Sequence, residues 1–418
     1  MNSILRKRCI LFLCLFPVFS GQANAQSKQP RQIAENLSSD SSKTEISVPQ
    51  ADLVDVFHKW FKLTPSTKST DIKPGEKPVF TLFPALGYTL QTSYAAILSS
   101  NLVFYTSNTV DSRLSVLNVS PTYSVNKQFI FPVLLNIWLQ GDKYNLIGDW
   151  RYMKYPQSTF GLGSNSTLAT ENPMDFNYLR IYQYLTRKIS RKFTAGLGYT
   201  LDYHWNVSEA GLSSGTVSDY AKYGASPHST STGIAIMLSH DSRQNPVNPK
   251  QGDNVQLILR NNLQFLGSDR NWQSLLVNAA KYIPLNKRKT QTLAFWNYDW
   301  IVLNGQPPYL DLPATGWDNS YNTGRGFIQG RYRGNVMLYL ESEYRFDITR
   351  NGVLGGVLFS NIETVSSAPS RKLEQLQPGY GLGLRIKLNK KSNTNLAVDY
   401  GFGTSGMRGF FVNLGEVF

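Results

Sequence analysis

The chain has 418 residues, a formal net charge of +14 and, past its N-terminus, no long apolar run. That excludes a bundle of transmembrane helices, each of which needs about 18 or more consecutive apolar residues. Aromatic residues are abundant (23 Tyr, 22 Phe, 8 Trp) although the mean hydropathy is −0.28, a balance that suits strands with one lipid face and one wet face.

The N-terminus reads as an export signal. Arg6, Lys7 and Arg8 precede an apolar stretch, Cys9 to Phe19, that is too short to cross a bilayer. Ala23 and Ala25 fit the small-x-small cleavage rule, so residues 1–25 are expected to be removed and the exported chain to start near Gln26. Both cysteines, Cys9 and Cys14, lie in this segment, which leaves no thiol chemistry to the remainder. Leu13 stands where a lipoprotein signal needs a small residue.

Residues 26–77 are expected to form a periplasmic extension. Its first half is rich in Gln, Ser, Lys and Pro and predicts disorder. Within 51–63, Leu53, Val56, Phe57, Trp60 and Phe61 recur at helical spacing and predict a short amphipathic helix. That helix fits a cap, a plug or a dock for a partner, and equally a segment packed on lipid or on the barrel.

From residue 78 to 418 the period changes to two. The pattern predicts sixteen strands near 79–90, 94–106, 112–126, 128–140, 144–155, 175–189, 193–207, 228–241, 253–265, 271–284, 290–303, 335–348, 352–364, 378–389, 394–403 and 409–418. Connections after even strands are short; several after odd strands are long, notably 156–174, 208–227, 304–334 and 365–377. Short periplasmic turns and long outer loops are the habit of outer-membrane barrels. The fold class expected is therefore all-β: a sixteen-stranded antiparallel transmembrane barrel with a short N-terminal periplasmic helix. In the twelfth strand Leu338, Leu340, Tyr344 and Phe346 share one face, and Tyr339, Glu341, Glu343 and Arg345 the other. Several charges on one face are costly against lipid, so that face must be the lumen.

Enzymatic signals are weak. "SHDS" (Ser239 to Ser242) puts Ser, His and Asp together, but neighbours on a strand point to opposite faces. No Cys/His cluster or phosphate-binding loop is seen, so no enzyme activity, cofactor or metal is expected. Lys287, Arg288 and Lys289 lie in a predicted periplasmic turn, suited to lipid headgroups or an acidic partner, or simply to solvent. An exported barrel excludes nucleic acid as a partner despite the basic balance.

Five stretches carry a family resemblance: "HDSRQNPVNPKQG" from His240, "TGRGFIQG" from Thr323, "ESEYRF" from Glu341, "GGVLFSNIETV" from Gly355, and "GYGLGLRI" followed by "VDYGFG". In this order they resemble the bacterial surface antigen family, the BamA/TamA-type outer-membrane barrels of protein assembly and translocation. The resemblance covers residues 79–418. It implies that the sixth outer loop folds back into the lumen, with Arg325, Gly326 and Phe327 as its tip and Gly324 where an aliphatic residue is usual. The acidic partner usually falls in a Phe-x-Asp-x-Gly pattern. Here that reads Phe359, Asn361 and Glu363, so Glu363 is expected to take the carboxylate role, with Asn361, Glu341 and Glu343 as further candidates. The last strand, with Phe410, Val412, Leu414 and terminal Phe418, resembles the targeting signal of outer-membrane barrels, although Glu416 interrupts it. Residues 26–78 leave no room for the transport-associated domains that family members carry. The expected role is a component of outer-membrane protein assembly or export that opens between its first and last strands. It would be embedded in outer-membrane lipid and served by a separate periplasmic protein or lipoprotein. The alternative is a passive channel gated by loop six.

Overall fold

The computed structural model describes residues 50–52, 55, 75–107, 112–139, 141–368, 370–390 and 392–418. The expected signal with Ala23 and Ala25, and nearly all of the expected helix 51–63, lie outside the described residues.

The described chain is a single sheet of eighteen antiparallel strands. In order they are β1 (Val79–Thr89), β2 (Ser93–Phe104), β3 (Ser115–Val119), β4 (Thr122–Ser124), β5 (Phe129–Leu139) and β6 (Tyr144–Lys154). β7 (Gln157–Thr159), β8 (Asn172–Lys188), β9 (Phe193–Glu209), β10 (His228–Asp241), β11 (Gly252–Asn262) and β12 (Trp272–Pro284) follow. The sheet ends with β13 (Gln291–Gly305), β14 (Val336–Asp347), β15 (Leu354–Val365), β16 (Gln377–Asn389), β17 (Thr394–Phe402) and β18 (Arg408–Leu414).

The count exceeds the expected sixteen because two staves are interrupted. β3 and β4 both pair with β2 and β5, and β6 and β7 both pair with β8. Each break falls at a proline, Pro121 or Pro156, which has no N–H to give the ladder. Counted as single staves, these pairs restore sixteen. Each stave is paired with its neighbours in sequence, and β18 returns beside β1.

Alternation sets the two faces. On β14, Met337, Tyr339, Glu341, Glu343 and Arg345 are buried inward, while Leu340 is exposed outward. Leu358 and Leu382, on β15 and β16, are likewise exposed. These apolar side chains form the lipid face; the charged set lines the lumen. The connection 306–335, between β13 and β14, does not stay outside. Its Tyr309, Leu312, Ala314 and Trp317 pack with Met153, Met174 and Phe176 from β6 and β8.

Candidate functional site: the lumen anchor of loop six

The loop is held at both ends. At its base, Ser231 donates to the Asp311 carboxylate at 2.5 Å, and Arg333 donates to the carbonyls of Tyr309 and Leu310 at 3.1 and 3.0 Å. At its tip, Phe327 N–H donates to the Gly324 carbonyl at 2.8 Å and closes a tight turn around Arg325.

Arg325 is fully buried. Its Nη1 donates to Asp399 Oδ2 on β17 at 2.6 Å, and its Nη2 meets Glu341 and Glu343 on β14. The guanidinium lies 3.8 Å from the Phe359 ring centroid, and Asn361 Nδ2 donates to the Arg325 carbonyl at 2.9 Å. A planar fork with several donors suits this site in a way that a lysine ammonium does not.

The network extends outward. Arg345 binds Glu343 at 2.6 Å, Arg385 binds Asp399 at 2.5 Å, and Arg385 binds Glu416 at 2.8 Å. Three arginines thus share four buried carboxylates. Taking such charges out of water is costly, so their mutual pairing is what makes burial tolerable.

Backbone fit completes the anchor. Gly326 has φ +108°, and a Cβ there would lie 2.7 Å from the Phe402 carbonyl. The wall opposite is bare: a Cβ on Gly401 would be 2.7 Å from Gly326 N, and one on Gly403 2.7 Å from Gly326 O. Gly401 on β17 and Gly403 just beyond its end, with Gly379 on β16, let two backbones touch. Phe327 is buried and meets Tyr332 edge-on at 5.6 Å.

The structure brings Gly324, Arg325, Gly326 and Phe327 together with Glu341, Glu343 and Asn361. Glu363 stands beside Gly324, where a Cβ would lie 3.6 Å from its Oε1, but it forms no ion pair with Arg325 among the described residues. Its carboxylate accepts from Thr315 Oγ1 at 3.0 and 3.2 Å and holds the descending limb of the loop instead. Register explains the difference. Glu363 faces Tyr339, whereas Asn361 faces Glu341, and two residues of strand are about 7 Å. The acid that sequence reasoning missed is Asp399. Its signal was present in "VDYGFG", an acid two residues before the glycine against which the tip lies.

The C-terminus also departs from expectation. Phe410 and Leu414 face outward and are half exposed, with Val412 between them on the same face. Alternation then stops at Gly415, whose φ is +91°. The last residues turn into the lumen, so that Glu416 pairs with Arg385 and the Val417 carbonyl accepts from Asn322 at 2.9 Å. Phe418 stacks on Trp296 at 5.2 Å and does not continue the outer row of Phe410, Val412 and Leu414.

Two further features were not anticipated. The turn 242–251 crosses the periplasmic mouth as a strap: Asn245 and Asn248 donate to the carbonyls of Ser392 and Asn393 at 3.1 and 3.3 Å. On the opposite lumen wall, Asp202 gathers Tyr178, Tyr182 and Arg260. In the "SHDS" stretch, His240 meets Asp253 Oδ1 at 3.1 Å, and Ser242 donates to that same carboxylate oxygen and not to the imidazole. Among the described residues no three His, Cys, Asp or Glu side chains are grouped to hold a metal ion.

Paired staves, a lipid-facing apolar band and an arginine-tipped loop anchored inside define an outer-membrane β-barrel with an inward-folded loop six. The family model described as the Omp85 superfamily domain matches residues 113–418, and the chain belongs to that superfamily. Among solved structures it is similar to BamA from Haemophilus ducreyi lacking POTRA domains 1–3, with TM-score 0.55 and 13 % identity over 81 % of this chain and 70 % of that one. CdiB from Acinetobacter baumannii matches with TM-score 0.52 and 15 % identity over 82 % of this chain and 60 % of that one. CdiB from Escherichia coli matches with TM-score 0.51 and 11 % identity, over 81 % and 61 %. No curated protein matches the sequence.

Proposed function

We propose that this chain is the membrane component of a system that assembles or exports outer-membrane polypeptides. A separate periplasmic protein or lipoprotein would deliver the client, and the seam between β1 and β18 would receive it. The observation that carries this reading is the state of β1. Residues 80–84 are exposed on both faces, with Phe80 62 % and Leu82 56 % exposed. No ladder register joins β1 to β18 among the described residues. The two edges meet by packing, as where Leu90 lies over Gly409. An unpaired strand edge is a template for a second strand, and pairing by strand addition needs little else.

Membership of the Omp85 superfamily supports the same reading, because its barrels serve as transporters and assembly factors. Export by a cleaved signal ending at Ala25, and targeting through Phe410, Val412 and Leu414 with the terminal Phe418, belong to the proposal. Residues 50–52 and 55 supply a candidate contact for the partner. Ala51 donates to the Asn351 carbonyl at 3.0 Å, and Lys390 pairs with Asp55 at 2.7 Å, so this segment reaches two turns of the periplasmic mouth.

The test is to cross-link outer membranes that carry the tagged chain and identify what co-purifies. A stoichiometric periplasmic protein or lipoprotein, lost on deleting residues 26–63, is the expected result. A barrel that purifies alone and conducts ions in planar bilayers would favour the gated-channel alternative.

A further inference from the structure

We propose that the periplasmic mouth contains a niche for one oxyanion, a phosphate monoester or an equivalent group, held by Lys387, Arg345 and Lys250. The strap described above forms one side of the niche through Asn248 and Lys250, while β13 to β16 form the floor through Thr292, Arg345 and Lys387. The inner space is about 30 Å³ and opens to solvent.

Its cations are underused. Lys387 is 4 % exposed, yet its ammonium has no hydrogen-bond or ion-pair partner among the described residues. Arg345 spends Nε and Nη2 on Glu343 and the Phe418 carbonyl, while Nη1 is buried without a partner. Lys250 reaches Asp347 only at 3.7 Å. Of the two acids that line the niche, Glu416 accepts from Arg385 at 2.8 Å and from Asn395 at 2.7 Å, whereas Asp347 faces the lysines, its Oδ1 3.7 Å from Lys250 Nζ. A buried guanidinium N–H without an acceptor is costly. One oxyanion would satisfy it and the Lys387 ammonium together by charge-assisted hydrogen bonds. Gly352, with φ +69°, leaves the approach to the amine open: a Cβ there would stand 3.4 Å from Lys387 Nζ.

The anion has two possible sources that share this chemistry, a free periplasmic phosphate and the headgroup of an inner-leaflet lipid. The full chain in a phosphate-free, non-ionic detergent separates them. Thermal unfolding is followed while sodium phosphate is titrated at constant ionic strength against sodium chloride, and in parallel with dihexanoyl phosphatidic acid against dihexanoyl phosphatidylcholine. Phosphate should raise the Tm saturably where chloride does not. Lys387→Met should weaken that response at least tenfold, and Lys387→Arg should keep part of it. Lys250, which is more exposed, should matter less, so Lys250→Gln weakens the response only a few-fold; this variant carries the test if Lys387→Met does not fold. Saturation by phosphatidic acid at lower concentration than phosphate assigns the niche to a headgroup; equal concentrations assign it to the free anion. No saturable response in the wild-type chain, or an unchanged response in Lys387→Met and Lys250→Gln, overturns the proposal.

Discussion

The wall made by β14 to β17 and the edge made by β1 follow the same alternating pattern but end in opposite states. On the wall, Glu341, Glu343 and Asp399 are fully buried and each is paired with an arginine. On β1, the stretch from Phe80 to Pro84 is exposed on both faces, and Leu86 beyond it is 84 % exposed. Stability is thus concentrated where loop six fills the lumen and is withheld at the seam. The proposed opening at this seam suits a barrel anchored away from that edge, because local opening follows regions with few buried contacts.

The largest break in this contrast is Arg325→Ala. Removing one partner of a buried charge cluster leaves the others uncompensated, at a cost of about 3–5 kcal/mol. The expected outcome is a lower unfolding temperature and rapid proteolysis within 306–335. Arg325→Lys should rescue only part, because an ammonium cannot fork to β14 and β17 together. Next comes Gly403→Val, which puts a side chain where the Gly326 carbonyl lies; overpacking of this kind costs about 1–3 kcal/mol. It should free the tip while leaving the β16–β17 pairing intact, visible as loop cleavage with little loss of barrel content by circular dichroism.

Glu363→Gln sharpens the comparison from the other side. The amide still accepts from Thr315, so a change under about 1 kcal/mol is expected. Loop protease sensitivity should hardly move, in contrast to Arg325→Ala. Smallest is the contact of Asp55 with Lys390. The hydrogen bond from Lys390 holds the Asp55 carboxyl below its ordinary 3.8. That contribution is present above 3.8 and is lost as the pH falls through the lowered value. A spin label at Gln50→Cys should therefore gain mobility as the pH is taken below this range and stay restrained at pH 6.

Alternation made most of this molecule legible in advance. The charged inner face of β14 followed from four residues at period two, because two faces in different solvents leave that mark. Interruptions were harder, since Pro121 and Pro156 break staves without breaking the alternation around them. The anchor was half legible. "GRG" marked the tip, and the wall glycines stood in "GYGLGLRI" and "VDYGFG". Which carboxylate meets Arg325 depends on register between strands far apart in sequence, and a two-residue shift exchanges Glu363 for Asn361. The inward tail was hidden for a related reason: one left-handed residue, Gly415, redirects everything after it.

The most direct test of the account is a disulfide across the seam. Leu90→Cys with Gly409→Cys joins the point where the two edges touch, and the expected exported chain has no other cysteine. Outer-membrane protein content would be compared in oxidised and reduced cells that depend on this chain. The account predicts loss of function on oxidation and recovery on reduction. Full function with the disulfide in place would contradict it.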